Sequence, residues 1–126
     1  LYFFGQPGSG KSCILASGFY YLHHNGMLIN SPQNPRGNIY KDQLINEINI
    51  GVLPDSTQRD GVNYIPLELR NHTNRSYKHP LNFIEMSGEL FDDAYESGIS
   101  DNNLAAKNYL DNTNKKLIYL LFLRNF

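Results

Sequence analysis

The chain has 126 residues, is 40% hydrophobic, and carries a formal net charge of −1 with 18% charged residues. That length builds one domain with a moderate core, and the composition is that of a folded chain rather than a disordered one. It excludes a broad basic field for nucleic acid and a polybasic anchor for a membrane.

In chain order, Leu1-Tyr2-Phe3-Phe4 is an apolar, aromatic-rich run suited to a buried parallel strand. Gly5-Gln6-Pro7-Gly8-Ser9-Gly10-Lys11-Ser12 follows and fits G-x-x-x-x-G-K-S/T at every fixed position. The chemistry explains the pattern: glycines let backbone N–H groups turn inward, lysine reaches phosphates, and the serine hydroxyl ligates Mg²⁺. The nucleotide-binding candidates are therefore Gly5, Gly8, Ser9, Gly10, Lys11, Ser12 and the adjoining Cys13, with Lys11 also a catalytic candidate. The context suits the motif, because Leu15, Phe19 and Leu22 recur at helical spacing and predict a helix over Lys11–His24. Asn25-Gly26 closes it with residues that tolerate the left-handed C-cap conformation. Cys13 is the single cysteine. It packs as a small side chain or, at a helix N-terminus, serves as an activated thiol. Without an internal disulfide the expected location is the cytoplasm.

Ser31 to Asn38 holds two prolines and a glycine and reads as a loop. Ile39, Leu44, Ile45 and Ile48 then predict a helix between Tyr40 and Ile50, stopped by Gly51. A polar, turn-rich stretch leads to Val62–Arg70, whose alternation predicts a strand with one buried face, and Pro66 within it argues for a sheet edge. Asn71 to His79 is a hydrophilic connection. Leu81-Asn82-Phe83-Ile84 restarts an extended run, so the two strands are expected to form an antiparallel hairpin. The Gly-, Ser-, Asp- and Asn-rich residues 88–103 read as an exposed segment, and a short helix is expected over Leu104–Leu110. Leu117–Leu123 reads as a continuously apolar, central strand, and its seven residues fall far short of the roughly 20 that span a bilayer. The chain lacks an initiator Met, begins inside a strand and stops just past another, so a fragment of a longer domain is expected, incomplete at its C-terminus.

Taken together, phosphate loop, helix, polar loop with Thr57, hairpin, a strand ending Glu85-Met86-Ser87-Gly88, helix and buried strand form an ordered series. This order resembles the Ras-like small GTPases of the translation-factor-related P-loop class. More narrowly, it is similar to the bacterial Ras-like or double-GTPase proteins whose loops read Leu-Pro-x-x-Thr, here Leu53-Pro54-Asp55-Ser56-Thr57. The resemblance implies that Ser12, Thr57 and Glu85 surround Mg²⁺ and that Gly88 senses the γ-phosphate through its N–H. That family carries D-x-x-G where this chain has Glu85 and Gly88, and often glutamine where it has Glu89. A carboxylate beside a γ-phosphate either acts as a base or slows hydrolysis, and slow hydrolysis is the expectation. The family's guanine-recognition motif would lie past Phe126, so GTP and GDP rest on the resemblance, while ATP and ADP remain open.

The expected fold is a three-layer α/β P-loop NTPase fold, mostly parallel with one antiparallel edge strand, in which Val62–Arg70, the Leu81 strand, Leu1–Phe4 and Leu117–Leu123 lie side by side in that order. Residues 1–126 are expected to form a single nucleotide-binding domain. The expected function is Mg²⁺-dependent binding of a nucleoside triphosphate with slow hydrolysis, as a switch that acts on protein effectors or further domains of the chain. Two other readings stand beside it. One is an ATPase or small-molecule kinase, and the other is a nucleotide-binding interaction module without turnover.

Overall fold

The computed structural model describes residues 1–33, 35–55, 61–98, 107 and 119–122. Its elements run β1 (Tyr2–Gly5), α1 (Lys11–His24), β2 (Leu28–Asn30), α2 (Pro35–Asn49), β3 (Val62–Arg70), β4 (Lys78–Met86), α3 (Gly88–Ser97) and β5 (Tyr119–Phe122). The strands form one mixed sheet in the order β2-β3-β4-β1-β5. β1 lies parallel to β4 and to β5, whereas β3 is antiparallel to both β2 and β4.

Period-two alternation sorts the strand residues onto two faces. Phe3, Ile65, Leu67 and Phe83 share one face and pack against Leu15, Ala16 and Phe19 of α1 and Leu44 and Ile45 of α2. Tyr2, Ile84 and Met86 occupy the other, where Leu90 of α3 covers them. Helices thus cover both faces. At the centre of the larger core Phe19, only 1% exposed, meets Phe83 edge to face at 4.9 Å between centroids.

The helix ends follow local chemistry. Met27 N–H reaches Leu22 C=O around Gly26, whose φ is +64°, and Val52 N–H reaches Glu47 C=O around Gly51, whose φ is +75°. Both are left-handed glycine stops. Ser87 caps α3 by accepting a hydrogen bond from Leu90 N–H.

Several expectations are corrected. α2 begins at Pro35, five residues before the expected Tyr40 start, because proline suits the first helical position, where its missing N–H has no partner to lose. Residues 88–97 are helical where an irregular segment was expected, with Asp93, Tyr95, Glu96 and Ser97 exposed as expected. They form α3, whose Gly88 and Leu90 are buried. β2 was not expected, since Leu28-Ile29-Asn30 is too short a run to carry a period. Its presence moves β3 off the edge, and the single strand running against the others is therefore internal. The β2 ladder stops at Asn30–Leu67, one residue short of Pro66, so on that side the ring forfeits no ladder bond. β4 starts at Lys78, ahead of Pro80, and pairs with β3 along its full length as the expected hairpin. β5 ends the sheet beside β1 among the described residues instead of lying centrally. Of the helix expected over 104–110, Lys107 alone is described, in helical conformation.

Phe19→Ala should cost about 3–5 kcal/mol, the usual range for emptying a filled aromatic core site. Urea unfolding measures it. A loss below about 1 kcal/mol would mean that Phe19 does not hold α1 to the sheet.

Candidate functional site

Parallel pairing sets Phe3 beside Glu85, so β1 and β4 end at the same edge of the sheet. The crevice beyond the carboxyl ends of such strands is where α/β sheets bind ligands. The chain turns after β1 through Gly8 and Gly10, with φ of +70° and +86°, a conformation that L side chains seldom adopt. Gly10 stands at the N-cap of α1 without a side-chain cap bond, and the first turn contains no acidic residue. A helix start of this kind presents backbone amides and the positive end of the dipole to an anion.

Lys11 is only 6% exposed, and its ammonium folds back across the loop to donate to the Gly5 and Gln6 carbonyls at 2.8 Å each. Burial pushes its pKa below the ordinary lysine value, while the carboxylates of Glu85, Glu89 and Asp92 oppose that shift.

Glu85 is 0% exposed. A buried carboxyl without partners would cost several kcal/mol, and here donors converge on both of its oxygens. The Ser12 hydroxyl donates to Oε1, while Tyr40 OH at 2.5 Å and Asn63 Nδ2 at 3.2 Å donate to Oε2. Asn63 can do this because it lies directly across the ladder from Glu85. Burial, and then the Glu85 charge, raise the Tyr40 phenol above its usual value, so it remains a donor at neutral pH.

Gly88 opens α3 against the loop. A Cβ built there would lie 2.1 Å from the Pro7 nitrogen, so only glycine permits the approach. Together the loop and α3 bound a cavity of about 200 Å³, lined by residues 7–13 with Pro54, Asp55, Gly88 and Glu89.

The expected residues sort clearly. Gly8, Ser9, Gly10, Lys11, Ser12, Cys13, Gly88 and Glu89 line this cavity, and Gly5 supplies a carbonyl to Lys11. Ser12 and Glu85 meet. Thr57 lies outside the described residues. Tyr40 and Asn63 were not anticipated, although one signal existed: Asn63 shares its phase with the buried Ile65 and Leu67, and a polar side chain at a core phase needs a partner.

The hard oxygen donors of Ser12 and Glu85 beside the loop are of the kind that suit Mg²⁺. Among the described residues no group of three or more His, Cys, Asp or Glu is placed to hold a metal ion. A cation here would therefore draw its remaining ligands from phosphate oxygens and water, as Mg²⁺ commonly does. No helix among the described residues is long and apolar enough to cross a membrane. Compared with family models, curated proteins and solved structures, the chain matches none.

Two glycine-to-alanine changes should act in opposite directions. Gly88→Ala forces a methyl into the Pro7 backbone and should cost about 1–3 kcal/mol. Gly18→Ala places its methyl in open space within α1 and should add up to about 1 kcal/mol. Denaturant unfolding of both variants checks the pair, and equal effects would refute the close approach of α3 to the loop.

Proposed function

We propose that this chain is a P-loop nucleotide-binding domain that takes a nucleoside triphosphate with Mg²⁺, GTP foremost, and hydrolyses it slowly as a molecular switch. The observation that carries the reading is the meeting of the Ser12 hydroxyl with the buried Glu85 carboxylate beside the glycine loop. A loop that bound nothing would have no use for a hydroxyl and a carboxylate converging at the start of its helix. On this reading the amides of residues 8–12 cradle the phosphates, and Lys11 leaves the loop carbonyls to reach the β- and γ-oxygens. Ser12 and Glu85 hold Mg²⁺, directly or through water, and the ion supplies charge neutralisation. Gly88, at the first position of α3, offers its N–H to the terminal phosphate.

The choice of GTP rests on the sequence resemblance alone. Hydrolysis transfers the γ-phosphoryl group to water, giving nucleoside diphosphate and phosphate. Glu89 bears on its rate, since a carboxylate lining the cavity raises the local negative charge against which the phosphates must sit. That same observation favours, as a second reading, a binding module without turnover.

Displacement of a fluorescent GDP by unlabelled GDP, GTP, ADP and ATP in Mg²⁺ tests the reading. Only guanine nucleotides should compete, and Lys11→Ala should abolish binding. Competition by ATP alone would instead establish an ATPase or kinase, and no binding by any nucleotide would overturn the proposal. Single-turnover hydrolysis by Glu89→Gln should be equal to or faster than that of the parent chain. A fall of about 100-fold or more would make Glu89 a general base.

A further inference from the structure

We infer that Tyr40 is a positioning residue for the divalent-cation site: its phenol holds one oxygen of Glu85 so that the other stays presented to Ser12 and the cation. This inference deepens the proposed function and rests on its Mg²⁺ component. The two oxygens of Glu85 have separate duties. Oε2 takes Tyr40 OH at 2.5 Å and Asn63 Nδ2 at 3.2 Å, and Oε1 takes the Ser12 hydroxyl. A cation placed between Ser12 and Glu85 would meet Oε1 and leave the Oε2 bonds in place.

The phenol is held in position by the turn that bears it. Next to Tyr40, the Lys41 ammonium is buried, bonds to Asn30 and pairs with Asp42 at 2.6 Å. Asn38 donates to the Ser31 carbonyl at 2.6 Å, and Leu44 and Ile45 anchor the next turn in the core. Tyr40 thus acts from a rigid mount. Glutamate has three side-chain torsions, and ordering them when the cation arrives would cost binding free energy. The hydroxyl of Tyr40 imposes that order beforehand, as hydrogen-bond partners of metal-binding carboxylates generally do. Its ring packs against the larger core, so removing the hydroxyl leaves that packing and takes away only its polar contacts, the bond to Glu85 and the contact with Ser12.

The test uses the full chain loaded with GDP or a non-hydrolysable GTP analogue. Mn²⁺ affinity is read by the loss of the free-ion electron paramagnetic resonance signal, nucleotide affinity is read separately in EDTA, and thermal unfolding is followed alongside. Tyr40→Phe should weaken Mn²⁺ binding about 10-fold or more, in line with other partners of metal ligands, and leave the EDTA affinity unchanged. Asn63→Ser, which disturbs the longer bond to the same oxygen, should weaken it in the same direction by less. Unchanged Mn²⁺ affinity in Tyr40→Phe would overturn the inference while leaving the proposed function standing. So would an equal fall in Mn²⁺ and EDTA affinities, which marks a merely structural role. If the parent chain binds nucleotide but no Mn²⁺, or binds no nucleotide, the metal reading falls and this inference falls with it.

Discussion

The carboxyl of Glu85 sits on the face of the sheet that α1 and α2 cover, in line with Phe83 on its own strand and beside Phe3 on the next. Burying such a group is unfavourable unless hydrogen bonds replace the water it loses. The replacements come from separate parts of the chain: Ser12 from the first turn of α1, Tyr40 from α2 and Asn63 from β3. One side chain on β4 therefore requires all three elements to be in place. If any of them shifts, a buried polar group loses a partner, and that penalty is larger than the net gain from an ordinary hydrogen bond.

The same constraint aligns the cavity. Ser12 can reach Glu85 only because β1 lies parallel to β4, with Phe3 beside Glu85, so the loop after β1 opens where β4 ends. The chain leaving β4 then turns at once into α3, and Gly88 lets that helix start against Pro7. Lys11 is caught between these requirements. Burial disfavours its charge, nearby carboxylates favour it, and without phosphate its ammonium is satisfied by the carbonyls of its own loop. A phosphate group would offer it stronger, charge-assisted partners. On the proposed reading, exchange of carbonyls for phosphate at Lys11 would be the electrostatic change that accompanies nucleotide binding, made against the negative charge of Glu89 and Asp92 nearby.

What could be read from the sequence was whatever local chemistry determines alone. The glycine loop, α1 with its Gly26 stop, the Gly51 stop and the β3–β4 hairpin all follow from short-range rules on dihedral preference and alternation. β2 was not legible, because its three residues gain their extended shape from pairing with Leu67–Leu69, about forty positions away. α3 was obscured by its acidic and small residues, although Ser87 as cap and Leu90 as anchor mark its start. At the site, the residues belonging to the motif were legible and their supporting partners were not. Tyr40 and Asn63 reach Glu85 only through tertiary packing, and of the two only Asn63, polar at a buried phase, left a trace.

The glutamate at position 85 acquires a physical reason from this arrangement. An aspartate there would withdraw its carboxyl by about one C–C bond, roughly 1.5 Å. Tyr40 OH, now at 2.5 Å, would then stand beyond hydrogen-bond reach unless α2 moved inward, and α2 is held by Leu44, Ile45 and the Lys41 bonds. The extra methylene lets the carboxyl touch Ser12 with one oxygen while the other reaches α2 and β3. Glutamate, tyrosine and asparagine therefore form one unit, joined through hydrogen bonds to one carboxyl oxygen. The length of the acid at position 85 is thus matched within the structure by Tyr40, and the place of its carboxyl is set by the position of α2.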